Sequence, residues 1–257
     1  MRFNITFNRT GKQRMLPMDY QYYIGAWIYK VIGQADREFA TFLHHQGYND
    51  GNKKFKLFNY SPLEFGKPIL WKEKSLFEIN VDAVSLQVSF YMPDAAARFI
   101  VGLFTNQQVF VGDKFNGIDL SVSQIERLPD PPVSTMMGYR AKSPVVITVL
   151  NEGDRYASYL SPLDAEYAVC LRNNLMQKWK AVPGAPPLSE DIDFEWAVTS
   201  EPKSKLVTVK PYTPQQSKVR GFVYNFTLKV PDEIHRLILS SGIGEKNSTG
   251  FGWCEWG

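Results

Sequence analysis

Cysteine and histidine are scarce in this 257-residue sequence, which contains only two cysteines, Cys170 and Cys254, and three histidines. Two cysteines cannot form a disulfide scaffold or a cysteine-rich metal site. No His-Glu-x-x-His motif accompanies the histidines, so we expect no bound metal. No nucleotide-cofactor motif is present, and we therefore expect no small-molecule cofactor.

Long apolar runs are also missing. No segment approaches the ~18–20 consecutive apolar residues of a membrane span, so we expect no membrane partner. The N-terminal stretch Met1–Asn8 alternates apolar and polar residues like a strand and lacks the apolar block of a signal peptide. Together with the two free thiols, these absences predict a cytoplasmic protein.

The composition is that of an ordinary globular chain, with 44% apolar, 21% charged and 14% aromatic residues. The net charge of +3 is mildly basic and permits a nucleic-acid partner without requiring one. Basic residues gather in one stretch that contains no acidic residue: Lys203, Lys205, Lys210, Lys218 and Arg220. This basic stretch is either a solvated surface or a contact for RNA phosphates.

A proline-rich break divides the chain into near-equal halves. Leu128–Pro132 cannot continue a helix or a central strand, because proline fixes φ and lacks an N–H group. We expect two domains, residues 1–128 and residues 133–257. Each half is patterned as β-α-β-β-α-β with additional strands, which predicts an α+β fold. The order is typical of two tandem ferredoxin-like (RRM-like) domains, with antiparallel sheets and helices on one face.

The apolar periodicity also places individual elements. In the first half, a short helix is predicted to begin at Asp36 and to end near His45. In the second half, strands are predicted over 140–150 and over 219–230, the latter with the cleanest alternation in the chain.

The most specific local feature is the glycine-rich segment, residues 242–252. It follows a helix and leads into a strand, unlike a dinucleotide fingerprint, and it lacks the Gly-Lys-Ser/Thr of a P-loop. Glycine backbone can adopt positive φ and direct N–H groups at an anion, so the segment is either an RNA-binding loop or a glycine-rich turn. The candidate RNA-binding residues are Gly242, Gly244, Lys246, Asn247, Ser248, Gly250 and Gly252, together with Lys203, Lys205, Lys210 and Arg220.

Three side chains of the first half are candidates for a role in catalysis or ligand binding: Tyr29, His44 and His45. At 100° per residue, Tyr29 points away from the apolar face of its own helix, so the following short helix or a ligand must cover it. His44 and His45 flank the apolar stripe of the short helix on opposite sides, and periodicity does not choose between them. Histidine titrates near pH ~6.5 and can accept or donate a proton.

Three stretches, in this order and spacing, make the chain recognisable. They are Leu16-Pro17 followed by Tyr22–Ile24 and Trp27–Tyr29, then Phe42–His44 with Gly47 and Phe55–Ser61, and finally Gly244–Ser248 with Gly250–Gly252. With these stretches the chain resembles the CRISPR-associated protein six family of the RAMP superfamily, whose members process precursor CRISPR RNA. The resemblance spans both ends of the chain.

The resemblance implies metal-independent cleavage within the repeat of precursor CRISPR RNA, which gives mature guide RNAs. A ribose 2′-OH attacks the adjacent phosphate, and the implied catalytic residues are Tyr29, His44 and Lys56. The implied partners are the repeat RNA and subunits of a CRISPR effector complex. The choice between His44 and His45 stays open, as does the choice between base and acid. The alternative function is a non-catalytic RAMP protein that holds repeat RNA in such a complex and has no need of the three catalytic residues.

Overall fold

The computed structural model describes residues 1–150, 152–153, 155–189 and 192–257. Within these ranges the chain forms five α-helices and eighteen strands, in two halves joined by the segment 129–135. None of the helices in the described ranges is long and apolar enough to cross a membrane.

The first half contains three helices and ten strands. The helices are α1 (Gln21–Ala35), α2 (Arg37–His45) and α3 (Pro93–Thr105). The strands are β1 (Arg2–Arg9), β2 (Met15–Pro17), β3 (Tyr48–Asp50), β4 (Lys53–Phe55), β5 (Phe58–Tyr60), β6 (Ile69–Trp71), β7 (Leu76–Glu78), β8 (Ala83–Phe90), β9 (Gln108–Gly112) and β10 (Gly117–Leu128).

Five of these strands form an antiparallel sheet in the order β5-β8-β1-β10-β9. Because successive side chains of a strand point to opposite faces, β1 directs Phe3, Ile5 and Phe7 to one face, which is buried. α1 and α3 cover that face. Trp27 of α1 contacts Phe7 and also Phe99 of α3, with ring centroids 5.6 and 5.8 Å apart. This is the ferredoxin-like order with β9 as an extra edge strand.

The second half repeats the arrangement with two helices, α4 (Tyr167–Lys180) and α5 (Asp232–Ser241). Its strands are β11 (Met136–Ala141), β12 (Thr148–Val149), β13 (Ser158–Tyr159), β14 (Glu195–Val198), β15 (Lys203–Val209), β16 (Ser217–Val223), β17 (Asn225–Lys229) and β18 (Cys254–Trp256). Four of them form an antiparallel sheet in the order β14-β17-β11-β18, which matches β5-β8-β1-β10 of the first half. The predicted pair of ferredoxin-like folds is confirmed.

Two predicted strands are wrong in extent. The strand predicted over 140–150 ends at Ala141, because the chain leaves the sheet before Pro144, which has no N–H to donate. The strand predicted over 219–230 is divided at Tyr224 into β16, which pairs with β15 as a separate ribbon, and β17, which lies in the sheet. Alternation continues through the break because both parts have one buried face.

The two halves are in direct contact. Arg2 at the start of β1 lies over the rings of Trp253 and Trp256, 5.1 and 4.6 Å from their centroids. Trp179 of α4 meets Tyr91, with ring centroids 6.5 Å apart. The division into domains at residues 1–128 and 133–257 stays a prediction. The contacts bring the glycine-rich segment of the second half against α1 of the first.

Candidate active site

Tyr29 lies on the side of α1 opposite its buried apolar residues. Its ring meets His44 of α2 and Phe58 of β5 edge to face, with centroid distances of 5.0 and 5.4 Å. Its hydroxyl shares a hydrogen bond with the Ser248 hydroxyl, and burial raises the pKa of Tyr29 to about 12. Tyr29 is therefore covered by α2 and by the second half together, and it stays protonated at neutral pH.

The short helix α2 begins where the sequence predicted. The Asp36 carboxylate accepts a hydrogen bond of 2.9 Å from the Phe39 N–H, which satisfies a donor that has no partner within the helix. Leu43 is buried in the core, and this orientation leaves His44 and His45 exposed on either side of it.

The structure distinguishes these two neighbouring histidines. The ring of His44 turns toward Tyr29, whereas His45 lines a depression on the outer face of α2. The pKa of His44 is lowered, first by burial and then by the positive charges of His45, Lys56 and Lys210. His44 is therefore neutral at pH 7 and able to accept a proton.

Two lysines bind the C-terminal end of α2. Lys56 Nζ donates a hydrogen bond to the His44 carbonyl at 2.8 Å, and Lys54 Nζ donates to the His45 carbonyl at 3.2 Å. The last carbonyls of a helix lack partners and carry partial negative charge, which favours cations there. Lys56 is thereby placed beside His44. Burial and the nearby Lys54 charge lower the pKa of Lys56 to about 8.

The turn that joins α2 to this segment requires glycine. Gly47 has a φ of +66°, and a Cβ atom there would lie 2.5 Å from the Phe55 carbonyl oxygen and 3.1 Å from Lys56 Nζ. Any side chain at position 47 would displace Lys56. Gly47 therefore permits the close approach that brings Lys56 to the helix end.

The glycine-rich segment is folded against protein. Its buried glycines with positive φ are Gly242, Gly244, Gly250 and Gly252. A Cβ atom at Gly250 would lie 2.9 Å from Gln21 Cβ and 3.0 Å from a ring carbon of Tyr60, so no side chain fits between the segment and α1. Gly242 and Gly250 allow the two halves to approach each other, whereas Gly244 and Gly252 pack against the second half itself. Contact of the four glycines with RNA stays a prediction.

A buried lysine that sequence reasoning missed holds this segment in place. Lys178 of α4 is 1% exposed, and its Nζ donates to the Gly242 carbonyl, the Gly244 carbonyl and Asn247 Oδ1 at 2.7, 3.0 and 2.7 Å. Its three donors thus have three acceptors, while burial lowers the pKa of the ammonium to about 7. A signal was present, because Lys178 follows the inward Leu175 by three residues, where lysine is unusual.

The two polar neighbours in the segment differ in their surroundings. Asn247 Nδ2 donates to the Ile243 and Phe251 carbonyls at 2.9 and 3.0 Å, and its Oδ1 accepts from Lys178, so the amide is used within the protein. Lys246 is exposed and has a φ of 58°. Of the two predicted RNA contacts, Lys246 is the better placed.

The basic stretch forms the two-stranded ribbon β15–β16. In its antiparallel register Lys205 lies opposite Gly221, and Leu206 lies opposite Arg220. Because side chains alternate between faces, Lys203 and Lys205 lie on one face of the ribbon and Arg220 lies on the other. The stretch is therefore two small basic surfaces and not one continuous surface.

The tip of the ribbon returns to the first half. Tyr212 at the tip meets Phe115 of the β9–β10 loop, with ring centroids 6.2 Å apart. Lys210, just before it, contributes to the lowered pKa of His44 through its charge. Lys210 is thus the ribbon residue that acts electrostatically on the candidate active site.

No group of three or more histidine, cysteine or acidic side chains within the described ranges is arranged to hold a metal ion. The third histidine, His235, lies in the core of the second half. Its ring nitrogens lie 2.7 Å from the Tyr139 hydroxyl and 3.2 Å from the Thr135 carbonyl oxygen. It contributes to packing and not to the site.

Both halves of the chain match one family. Residues 15–125 match the family described as CRISPR-associated protein Cas6, N-terminal, and residues 128–256 match the one described as CRISPR associated protein Cas6, C-terminal. The chain is 28% identical over 257 residues to the CRISPR-associated endoribonuclease Cas6 of Pyrococcus furiosus, covering 98% of this chain and 88% of that protein. It is 25% identical over 252 residues to CRISPR-associated endoribonuclease Cas6 1 of Methanocaldococcus jannaschii, covering 95% and 88%.

Solved structures share the fold over the whole chain. The product of a Cas6-related gene from Pyrococcus furiosus superposes with a TM-score of 0.83 at 22% identity, covering 100% of this chain and 98% of that one. A RAMP protein binding different RNA substrates superposes with a TM-score of 0.82 at 21% identity, covering 100% and 99%. The shared fold and the two family matches, which together span nearly all of the sequence, show that this chain belongs to the Cas6 family of CRISPR-associated proteins.

Proposed function

We propose that the chain is an endoribonuclease that cleaves precursor CRISPR RNA within its repeats and so releases mature guide RNAs. Two curated relatives, aligned over nearly the whole chain, are CRISPR-associated endoribonucleases. The observation that carries the proposal is the convergence of Tyr29, His44 and Lys56, from α1, α2 and the segment after β4, on one site.

Each of the three groups has a protonation state that suits cleavage by a 2′-OH. The lowered pKa leaves His44 neutral, so it can take the proton from the 2′-OH as a general base. Lys56, with a pKa of about 8, is mostly charged at pH 7, where it can stabilise the phosphorane and protonate the leaving oxygen. Tyr29 stays neutral and can donate a hydrogen bond to a phosphate oxygen.

The proposed reaction balances with these groups alone. The 2′-oxygen forms a bond to phosphorus while the bond from phosphorus to the 5′-oxygen breaks. His44 receives the 2′ proton, and the 5′-oxygen takes up a proton from Lys56. One product ends in a 2′,3′-cyclic phosphate and the other begins with a 5′-OH. Because side chains supply both the proton transfers and the charge, the reaction is proposed to be independent of metal ions.

The proposed partner is the repeat portion of precursor CRISPR RNA. A structural neighbour is described as a RAMP protein binding different RNA substrates, which supports an RNA ligand for this fold. Lys246 is exposed, and Lys210 acts on His44, so each is suited to the RNA backbone near the site. Effector-complex subunits are the further proposed partner, which would receive the guide RNA.

The test uses repeat RNA from the genomic locus of this chain. We expect cleavage in the presence of EDTA. RNA with 2′-deoxyribose before the scissile phosphate should still bind but should remain intact, because the nucleophile is missing. A strict requirement for Mg²⁺, or full cleavage of the deoxy RNA, contradicts the proposed chemistry. Tight binding without cleavage of unmodified RNA would instead favour the non-catalytic RAMP function.

A further inference from the structure

A cavity of about 360 Å³ lies where the two halves meet, directly beside the proposed catalytic residues. Its lining includes the segment 53–58 of the first half, which contains Lys56, and Gly244–Ser248 of the second half. Ser248 also shares its hydrogen bond with Tyr29, so the cavity and the proposed catalytic site are continuous. The volume lies at the lower end of the ~300–1,000 Å³ range for sites that bind small ligands.

The lining of the cavity is predominantly positive. The lysines in its lining are Lys53, Lys54, Lys56, Lys178 and Lys246. Among the described residues the acidic member of the lining is Glu245, whose carboxylate accepts hydrogen bonds of 3.1 and 3.0 Å from the N–H and the hydroxyl of Thr148. This balance of charge favours a ligand that carries phosphate at the rim.

A buried amide oxygen in the lining has no hydrogen-bond partner in the part of the chain that the structure describes. Asn174 of α4 lines the cavity and is 4% exposed, yet its Oδ1 accepts no hydrogen bond from the described residues. Its neighbours Lys178 and Thr148 both have partners. Buried polar atoms in native proteins are nearly always paired, so an unpaired acceptor in a cationic cavity indicates a ligand that brings a donor.

We propose that the cavity receives the nucleobase of one of the two nucleotides that flank the scissile phosphate, and that Asn174 accepts a hydrogen bond from the exocyclic amino group of that base. Proteins recognise single-stranded RNA by holding bases out of the stack and binding their edges. An asparagine amide matches the donor and acceptor edge of adenine. The inference rests on the proposed function, because the position of the scissile phosphate decides which bases reach the cavity.

The first experiment changes the RNA and leaves the protein intact. Repeat RNAs with an abasic residue at each flanking nucleotide in turn are cleaved under single-turnover conditions by the wild-type protein. We expect one of the two abasic sites to slow cleavage about tenfold or more. Replacing only the amino group of that base by hydrogen should reproduce most of the loss, because it removes the donor proposed to meet Asn174.

The second experiment changes the protein. Asn174→Ala should slow cleavage of unmodified RNA about tenfold and should add nothing to the effect of the sensitive abasic site, because both changes remove the same contact. Asn173→Ala is the matched control, since Asn173 is the exposed neighbour on the same helix. A thermal melt of each variant reports on folding.

The outcomes separate this inference from the proposed function. If unmodified RNA is cleaved and both abasic RNAs are cleaved at that same rate, the nucleobase site is overturned and the proposed endoribonuclease activity stands. Equal slowing of normal and abasic RNA by Asn174→Ala also overturns it, because the amide would then act through the fold. No cleavage of unmodified RNA overturns both. If Asn174→Ala fails to fold, the abasic series with wild-type protein still decides the question.

Discussion

The two halves of this chain share a strand order and use it for different purposes. In each half one helix follows the first strand of the sheet, α1 in the first half and α4 in the second. α1 presents Tyr29, whose hydroxyl reaches out of its own half to Ser248. α4 presents Lys178, which is buried and has all three donors occupied by the glycine-rich segment.

The comparison shows that surroundings, and not position in the fold, decide what a side chain does. His44 and Lys56 of the first half are partly exposed and can meet a substrate. Lys178 and Asn247 of the second half direct their polar atoms at the protein itself. Under the proposed function the first half would supply the catalytic groups, and the second half would cover them.

The largest expected effect is on the supporting half. Lys178→Met would leave three buried acceptors without a donor, and we expect it to reduce the free energy of unfolding by roughly 3 kcal/mol. For a chain of this length, that corresponds to a fall in melting temperature of roughly 6–12 °C. Lys180→Met, an exposed neighbour on α4, should change stability by less than about 0.5 kcal/mol. Equal melting temperatures for the two variants would contradict the stabilising role of Lys178 in the second half.

The stability difference between wild type and Lys178→Met should also depend on pH. The pKa of Lys178 is lowered by burial to about 7 in the folded chain, from 10.5. Between these values the unfolded chain binds more protons than the folded one, so the wild type gains stability as pH rises. Urea unfolding should show a larger difference in unfolding free energy between wild type and Lys178→Met at pH 9 than at pH 7. A smaller difference at pH 9 would contradict the lowered pKa of Lys178.

The next effect concerns the first half, which contains the proposed catalytic residues. General acid–base catalysis contributes ~10²–10⁴-fold, so His44→Ala should slow single-turnover cleavage at least about 100-fold and change RNA affinity little. His45→Ala should do much less, because His45 faces the outer depression of α2 and not Tyr29. The reverse ranking would assign the chemistry to His45.

A matched pair of glycines tests whether the glycine-rich segment contacts RNA or serves to pack the two halves together. Gly250 and Gly184 both have positive φ, but a Cβ atom would be crowded at Gly250 and would meet nothing within 4 Å at Gly184. We expect Gly184→Ala to cost about 1 kcal/mol of stability and Gly250→Ala roughly 2–3 kcal/mol. Unchanged melting with weakened RNA binding for Gly250→Ala would assign that glycine to RNA contact alone.

A smaller effect is expected in the pH dependence of cleavage. Lys56 must be protonated to stabilise charge, and its pKa is about 8, so kcat/KM should fall about tenfold per pH unit well above pH 8. Lys56→Arg should remove that decline and should also lower the maximal rate, because a guanidinium stays charged but does not protonate the leaving oxygen. Lys54→Arg, at the same helix end, should keep it. A decline that persists in Lys56→Arg would assign it to another group.

The smallest effect per residue is expected at the ribbon. Affinity for single-stranded RNA falls with salt at a log–log slope of about −0.7 per phosphate contact. The four predicted contacts of the ribbon are Lys203, Lys205, Lys210 and Arg220. Neutralising them together should flatten the slope by about two units or more. The control is neutralisation of Lys67, Lys72 and Lys74, which are exposed near β6 of the first half. An unchanged slope would make the ribbon a solvated surface.

The sequence predicted most elements with strong local signals. The cap at Asp36 and the end of the short helix at His45 lie where the pattern placed them. The run 219–230 was predicted as one strand but forms two, because alternation shows that one face of a strand is buried and does not show to which sheet the strand belongs. Helical geometry indicated the outward direction of Tyr29, whereas the choice of His44 came from the family resemblance. Lys178 was missed because its hydrogen-bond partners lie 64 to 69 positions away in sequence. Asn174 was missed because its burial in the cavity lining follows from the packing of the two halves.

By itself, then, the amino-acid sequence determined the two repeats of β-α-β-β-α-β, the outward direction of Tyr29 and the glycine-rich segment. These depend on periodicity and backbone preference, which act over a few residues. Only the tertiary structure decided that His44, and not His45, meets Tyr29, and that the glycine-rich segment packs on α1 and is held by Lys178. Such choices depend on contacts between different elements, from 15 positions apart for Tyr29 and His44 to 229 for Gln21 and Gly250, and no local pattern encodes them.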